Sequence, residues 1–430
     1  MRRWRHALVI SAVGLAAVAG TQILTPDVHW VPAHGDNVAP GGPAKPGLPM
    51  MVPDAGGPGY YAGFSTTKQA GWADPKFFPI GVWFESVIGQ SDIDMDKAAG
   101  LNTYVELTDN SDLPLIRANG MFAIPSKPLP GYGPETVAWL ITDEADLSYG
   151  AGSDPWTGPG DGSSCVPPQD QNGQCGYTVM QTLADQLPKD GRPRYANFGK
   201  GVLEFESDDQ AQKFVNGYTD ITSADLYYYT DPFEPPGRQL AAYYGTVIDR
   251  LRKLDMADGK QQPIWAFVEL GHPFTDNTAP TITGDQLTGA VWNSIIHEAR
   301  GVIYFNHNFG GPCFSFQVLR EQCGDAIRPT VTEINHQITE LAPILNTQSY
   351  QWTFNPALDT MLKQHDGSLY IFAMTGPNTP TGTHTLTLPP GIHATHAQVL
   401  YENREIPITP TGITDTFTTE NQHHIYRITP

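Results

Sequence analysis

Positive charge is scarce in this sequence. The 430 residues include 25 Lys and Arg against 45 Asp and Glu, which gives a net charge of -20 without a long run of either sign. Such a chain has few cations to meet the phosphates of nucleic acid or the headgroups of anionic lipid. We therefore expect a globular protein with no nucleic-acid partner.

Several well-known motifs are also absent. The chain has no GxSxG nucleophile motif, no phosphate-binding loop and no dinucleotide-binding glycine pattern, so acyl transfer and nucleotide chemistry have no support. The 13 histidines are scattered, and the first predicted strand contains GVWFES where a metal-dependent barrel hydrolase would carry His-x-His. We expect neither a metal nor another cofactor.

Cysteine is limited to four residues, which form two local pairs within CVPPQDQNGQC and CFSFQVLREQC. Four cysteines permit three connectivities. The short loops favour disulfides between Cys165 and Cys175 and between Cys313 and Cys323, in an oxidising compartment. A zinc site is the weaker alternative, because neither loop has CxxC spacing.

A long apolar run occurs only at the N-terminus, MRRWRHALVISAVGLAAVAG. Arg2, Arg3 and Arg5 precede an apolar stretch over 7–19, which is the layout of a secretory signal. Continued through Ile23 and Leu24, the run could instead remain as a membrane anchor. Residues 1–24 are thus predicted to be a signal peptide or anchor, and the rest of the protein to be secreted or held on the outer face of the cell envelope.

Composition divides the remaining chain into three parts. Residues 25–73 are rich in Pro and Gly and predict a linker or arm. From residue 74 to 345, short apolar runs alternate with helix-like segments, as in a parallel α/β fold. Eight such runs are predicted strands, the number that closes a (β/α)8 TIM barrel: 77–84, 102–107, 121–125, 137–142, 194–199, 224–229, 263–269 and 301–307.

Residues 346–430 have a different pattern. Thr-, Tyr- and Val-rich segments are separated by Pro and Gly at short intervals, which predicts a small antiparallel β-sandwich. Its role is predicted to be structural support, with carbohydrate binding as the alternative.

Two predicted strands end on a glutamate. VAWLITDE ends on Glu144, after Asp143, and PIWAFVE ends on Glu269. In one parallel barrel both strand ends face the same mouth, and two carboxyl groups there could cleave a glycosidic bond. The alternatives are that Asp143 and Glu144 cap a following helix and that Glu269 is a solvated residue at a strand end.

The segments FPIGVWFES, VAWLITDEAD and IWAFVELG resemble the core of clan A glycoside hydrolases, the retaining glycosidases on (β/α)8 barrels. The resemblance covers about residues 77 to 345. It implies that Glu144 is the acid/base and Glu269 the nucleophile. Asp143 stands where most clan members have an Asn that contacts the sugar, so Asp143 is a substrate-binding candidate.

Other residues near the predicted mouth could bind sugar, because aromatic faces stack on sugar rings and carboxylates accept hydrogen bonds from hydroxyls. Each could equally be a packing residue. These candidates are Trp83, Glu85, Glu106, Tyr228, Tyr229, Asn306 and His307.

The sequence therefore predicts a retaining glycosidase that acts on a polysaccharide or oligosaccharide. A retaining mechanism requires the carboxyl groups of Glu144 and Glu269 to lie about 5–5.5 Å apart. The alternative is a cell-envelope protein that binds carbohydrate on a barrel scaffold without cutting it.

Overall fold

A computed structural model describes residues 58–160 and 162–429. The predicted signal or anchor and most of the predicted linker lie outside these residues. Eight strands form one parallel sheet, and each lies at or near a predicted strand: β1 Ile80–Glu85, β2 Thr103–Leu107, β3 Phe122–Ile124, β4 Trp139–Asp143, β5 Arg194–Phe198, β6 Ile221–Asp225, β7 Ile264–Glu269 and β8 Val302–Phe305.

The sheet closes into a barrel. Its strand order is β3-β2-β1-β8-β7-β6-β5-β4, and backbone hydrogen bonds join the two edge strands. The N–H of Val137 donates to Ala123 O (3.1 Å), and the N–H of Leu140 donates to Pro125 O (3.0 Å). The predicted TIM barrel is confirmed, so all eight strands end at the same mouth.

The strands carry apolar side chains on both faces, as expected for parallel strands covered by helices. On β7, Trp265 and Phe267 belong to the cluster inside the barrel, whereas Ile264, Ala266 and Val268 pack against the outer helices. Side chains along a strand point alternately to its two faces, so Glu269 lies on the same face as Trp265 and Phe267. It therefore points inward at the mouth.

Ten α-helices lie within the described residues. They are α1 Pro58–Tyr61, α2 Ser65–Gln69, α3 Gln90–Ala98, α4 Leu113–Ala118, α5 Ala145–Tyr149, α6 Gly176–Gln186, α7 Asp208–Tyr218, α8 Ala241–Asp255, α9 Gly284–Ile296 and α10 Arg328–Leu345. Ser207 and Thr283 begin α7 and α9 with capping boxes. None of these helices is long and apolar enough to cross a membrane.

The last part of the predicted linker is folded. Tyr61 and Trp72 are buried at the N-terminal end of the strands, where Trp265 Nε1 donates to the Tyr61 hydroxyl (3.1 Å). The rings of Trp72 and Trp265 are 5.9 Å apart. Residues 58–73 thus close the bottom of the barrel, and burial of these aromatic side chains stabilises the segment there.

The predicted sixth strand was displaced along the chain. Its aromatic run, 224–229, has high β propensity, but β6 is Ile221–Asp225. Ser223 occupies the position of β6 that faces the barrel interior, and its hydroxyl lies 2.6 Å from that of Tyr195. Tyr228 lies beyond the strand and packs against Tyr244 of α8. A small residue fits the barrel interior here, and Asp225 rather than a tyrosine ends the strand.

The C-terminal part is antiparallel, as predicted. A six-stranded sheet has the order β14-β13-β16-β11-β10-β9, and β12 pairs with β15. The strands are β9 Ser349–Tyr350, β10 Leu358–His365, β11 Ser368–Thr375, β12 Gly382–Leu386, β13 His396–Val399, β14 Arg404–Pro407, β15 Ile413–Phe417 and β16 His424–Ile428.

Strand β10 was not predicted because charged residues interrupt its pattern. Asp359 and Lys363 are buried against the barrel. Asp359 accepts a hydrogen bond from Asn293 (3.0 Å), and Lys363 lies 3.6 Å from the carboxylate of Glu298. The sheet packs on α9, where the rings of Trp292 and Phe372 are 6.2 Å apart.

Both predicted disulfides are present. Cys165 pairs with Cys175 and Cys313 with Cys323, with Cα–Cα distances of 5.4 and 5.6 Å. The first lies in the long segment that follows β4 and the second in the segment that follows β8, so both stiffen loops at the barrel mouth. Two disulfides indicate an oxidising environment.

Candidate active site

Strained backbone marks the mouth of the barrel. Phe84, Glu106 and Glu144 stand at or just after the ends of β1, β2 and β4 with φ values of 51°, 54° and 46°. This left-handed conformation costs a residue with a side chain on the order of 1 kcal/mol. Such strain is characteristic of functional sites, and here it surrounds a group of acidic side chains.

An amide connects two of these acids. Asn197 of β5 donates one N–H of its side chain to Asp143 (2.9 Å) and the other to Asp225 (2.7 Å). Its carbonyl oxygen accepts from the hydroxyl of Ser223 (2.6 Å). All of these side chains point inward from β4, β5 and β6, so Asn197 holds two carboxyl groups at neighbouring positions.

Burial raises the pKa values of both acids of this pair, and the charge of Asp225 raises that of Asp143 further. Burial is the larger cause for Asp143, followed by the charge of Asp225, and the pKa rises to about 8. The pKa of Asp225 rises to about 6, again through burial, while hydrogen bonds from Asn197 and Tyr227 oppose the rise. Asp225 therefore ionises before Asp143 as pH rises.

Glu144 has no hydrogen-bond donor for its carboxyl group among the described residues. Burial raises its pKa well above the ordinary value, and the charges of Asp225, Asp143 and Asp146 raise it further. The side chain lies against Gly199, where an added Cβ would stand 2.5 Å from Glu144 Oε1. These surroundings favour the protonated form of Glu144.

Glu269, unlike Glu144, has hydrogen-bond donors beside its carboxyl group. Its Oε1 accepts hydrogen bonds from the hydroxyls of Tyr244 (2.7 Å) and Thr230 (3.1 Å). Burial raises its pKa to about 7, and these donors limit the rise. Its Oε2 is buried without a hydrogen-bond partner among the described residues. Glu269 is therefore the more easily ionised of the two glutamates and has one free oxygen.

Asp225 connects the two glutamates. Its charge raises the pKa of Glu144 and, as a smaller contribution, that of Glu269. The hydroxyl of Tyr227 bonds to Asp225, and the charges of Glu144 and Asp143 also act on Tyr227. The structure thus gathers Asp143, Glu144 and Glu269 around Asp225 at one mouth.

Two further candidates lie beside this cluster. Glu106 accepts a hydrogen bond from Ser126 (3.0 Å), burial raises its pKa to about 7, and its charge contributes to the raised pKa of Asp143. Trp83 is almost fully buried inside the barrel, where its ring lies 5.3 Å from that of Phe267. Glu106 is thus a mouth residue, and Trp83 lies in the packed interior.

The structure places the remaining candidates in packing roles. Glu85 forms a buried ion pair with Arg320 (2.7 Å) and accepts a hydrogen bond from Asn306. His307 lies among aromatic rings, including those of Phe84 and Phe305. Burial lowers the pKa of His307 to about 4, so His307 is neutral at neutral pH.

Tyr228 and Tyr229 belong to the outer core between the barrel strands and the helices. Tyr228 packs against Tyr243 and Tyr244, and Tyr229 donates a hydrogen bond to Glu420 of the C-terminal part (2.7 Å). Both are buried. The aromatic residue of this run that reaches the mouth is Tyr227, whose ring packs near Phe267 and Phe305.

Sequence reasoning missed Asn197, Asp225, Tyr227 and Tyr244. Asp225 and Tyr227 were hidden by the displaced sixth strand. Tyr244 lies on the buried face of α8, where the helical spacing of its apolar neighbours indicates a packing residue. Asn197 could have been identified from the sequence, because it is a polar residue within the predicted strand RYANFG.

Comparison with known proteins identifies fold neighbours alone. No family model matches the chain, and no curated protein matches it. One similar solved structure is a GH30 endoxylanase from Clostridium papyrosolvens C71, with 12% identity, a TM-score of 0.44 and coverage of 82% of this chain and 97% of that chain. Another is an isomaltulose synthase from Klebsiella sp. LX3, with 9% identity, a TM-score of 0.46 and coverage of 83% and 99%. Identities this low transfer no activity to this chain.

Proposed function

We propose that this protein is an exported retaining glycosidase, with Glu269 as the nucleophile and Glu144 as the acid/base. The observation that carries the proposal is the contrast between these two glutamates around Asp225. Glu144 has no donor and three acidic neighbours, which suits an acid, whereas Glu269 is supported by two hydroxyl donors, which suits an anion.

In the first step, Glu269 Oε2 attacks the anomeric carbon and forms an ester bond to it. The bond from that carbon to the glycosidic oxygen breaks, and the leaving oxygen takes the proton of Glu144. In the second step, Glu144 accepts a proton from water, the water oxygen bonds to the anomeric carbon, and the ester to Glu269 breaks. The two inversions give net retention.

The neighbouring groups have supporting roles. Tyr244 and Thr230 hold Oε1 of Glu269, which leaves Oε2 to react. The charge of Asp225 keeps the proton on Glu144 until the leaving oxygen takes it. Because Glu269 has no exposed surface, substrate binding must uncover it, and Tyr227 is an aromatic side chain beside the carboxyl cluster that could contact a sugar ring.

Export is part of the proposal. The two disulfides fit an oxidising compartment, and the basic and apolar pattern over 1–24 is typical of a secretory signal or an anchor. The natural substrate is then a polysaccharide or oligosaccharide outside the cell.

The first test is a screen of the purified protein on cell-wall and plant polysaccharides, followed by proton NMR of the earliest product. We expect release of reducing sugar with the anomeric configuration of the substrate. Inverted product would contradict the assignment of Glu269 as nucleophile. Binding to a polysaccharide without any release of sugar would support a carbohydrate-binding protein instead.

A plot of kcat/KM against pH should fall on both sides, with an acidic limb at low pH and an alkaline limb at high pH. Glu269 must be ionised, and because its pKa is about 7, kcat/KM should fall as pH drops below about 7. Glu144 must be protonated, so kcat/KM should fall again at alkaline pH, above its raised pKa. A profile of kcat/KM from pH 4 to 10 measures both limbs. A rate that keeps rising toward pH 4 would contradict the assignment.

A further inference from the structure

The C-terminal part contacts the segments around the candidate nucleophile through two adjacent side chains, Glu420 and Asn421, because the side-chain oxygen of Asn421 is also an acceptor for the Tyr229 hydroxyl. Glu420 lies just before β16, and its carboxylate accepts two hydrogen bonds from the barrel. Oε1 accepts from the hydroxyl of Tyr229 (2.7 Å), and Oε2 accepts from the backbone N–H of Ala241 (2.8 Å). Ala241 is the first residue of α8, where a carboxylate also interacts favourably with the helix dipole.

The two segments held by Glu420 are those that hold Glu269. Thr230, next to Tyr229, donates to Glu269 Oε1. Tyr244, on the first turn of α8, donates to the same oxygen. The rings of Tyr229 and Tyr244 stack with centroids 5.4 Å apart.

The backbone of Tyr229 also directs the hydroxyl proton of Tyr244. The N–H of Tyr229 donates to the Tyr244 hydroxyl oxygen (3.1 Å). A hydroxyl group has one proton to donate, and here that proton points to Glu269. If the loop at Tyr229 moved relative to α8, the Tyr244 hydroxyl would lose this fixed orientation.

We propose that Glu420 is a positioning residue for Glu269: by clamping the loop at Tyr229 to the start of α8, it keeps the hydroxyls of Tyr244 and Thr230 aimed at the nucleophile. This inference rests on the proposed function. It gives the C-terminal part a role in the chemistry, beyond support of the fold.

The test uses the full chain with Glu420→Ala, assayed on a substrate found in the screen. We expect kcat to fall about tenfold or more, since small misplacements at a reacting group have large effects. We also expect the acidic limb of the kcat/KM profile to move to higher pH, because weaker donation to the ionised form raises the pKa of Glu269. KM should change much less than kcat.

Three variants make the result decisive. Tyr229→Phe removes the hydroxyl but keeps the stacked ring, and it should reproduce the shift of the acidic limb. Glu420→Gln keeps an acceptor oxygen and should show a smaller shift. Glu405→Ala removes an exposed carboxylate of β14 in the same part of the chain and should match wild type.

Three outcomes separate the hypotheses. If Glu269→Ala is inactive but folded Glu420→Ala and Tyr229→Phe keep the wild-type kcat and acidic limb, the proposed function stands and the positioning role is wrong. A lower melting temperature without a shift of the limb also contradicts that role. If Glu269→Ala is fully active, the proposed function itself fails.

Discussion

Glu269→Ala is expected to abolish turnover. The substitution removes the oxygen that forms the ester with the anomeric carbon, since Oε2 of Glu269 is a buried mouth oxygen without a hydrogen-bond partner among the described residues. The expected loss in kcat is at least about 10⁴-fold, in line with losses of covalent nucleophiles in other enzymes. Initial rates measured over a range of enzyme concentrations would establish it.

The matched variant is Glu144→Ala. It removes the acid and leaves the nucleophile, so substrates whose leaving group needs no proton should still form the glycosyl-enzyme. Hydrolysis of that intermediate should then be slow, and azide should accelerate it by attacking the anomeric carbon in place of activated water. Equal behaviour of Glu144→Ala and Glu269→Ala toward such substrates would contradict the separate roles.

Arg320→Met should cause the largest loss of stability. Arg320 is shared by the carboxylates of Glu85 and Asp96, and all three side chains are at most 2% exposed. Tyr104 also donates to Asp96 (2.6 Å). Without the guanidinium, two carboxyl groups remain buried with no cation, which costs about 3–5 kcal/mol in the free energy of unfolding.

Chemical denaturation would measure the change, with Lys127→Met as control. Lys127 pairs with Asp109 (2.7 Å), but the two side chains are 56% and 74% exposed, so its loss should cost less than about 1 kcal/mol. Burial already raises the pKa values of Glu85 and Asp96, and Arg320 opposes that rise, so Arg320→Met would raise both values further. The loss in the free energy of unfolding caused by Arg320→Met should therefore be small at low pH, where both acids are protonated. It should grow as pH rises through their pKa values in the folded protein. An Arg320→Met protein as stable as wild type at pH 8 would contradict this account.

Most of the barrel could be predicted because each strand is a short apolar run with clear ends. Glu144 and Glu269 became candidates for the same reason, since a carboxylate that ends an apolar run stands out. Strand β6 was displaced because its interior position needs a small residue such as Ser223, and local β propensity favours the tyrosines that follow. Propensity is a local property, whereas the space inside a barrel depends on all eight strands.

The parts that were missed depend on contacts between distant segments. Strand β10 carries Asp359 and Lys363, whose burial is tolerable because Asn293 and Glu298 of the barrel lie beside them. Tyr244 has a core-facing helix position, and only the close approach of α8 to the end of β7 brings its hydroxyl to Glu269. No pattern within one segment contains this information.

The closed bottom of the barrel also determines the direction of access. Tyr61 and Trp72 plug the end opposite the carboxyl cluster. A polymer cannot pass through a barrel that is plugged at one end, so under the proposed function it would be bound and released at the same open end.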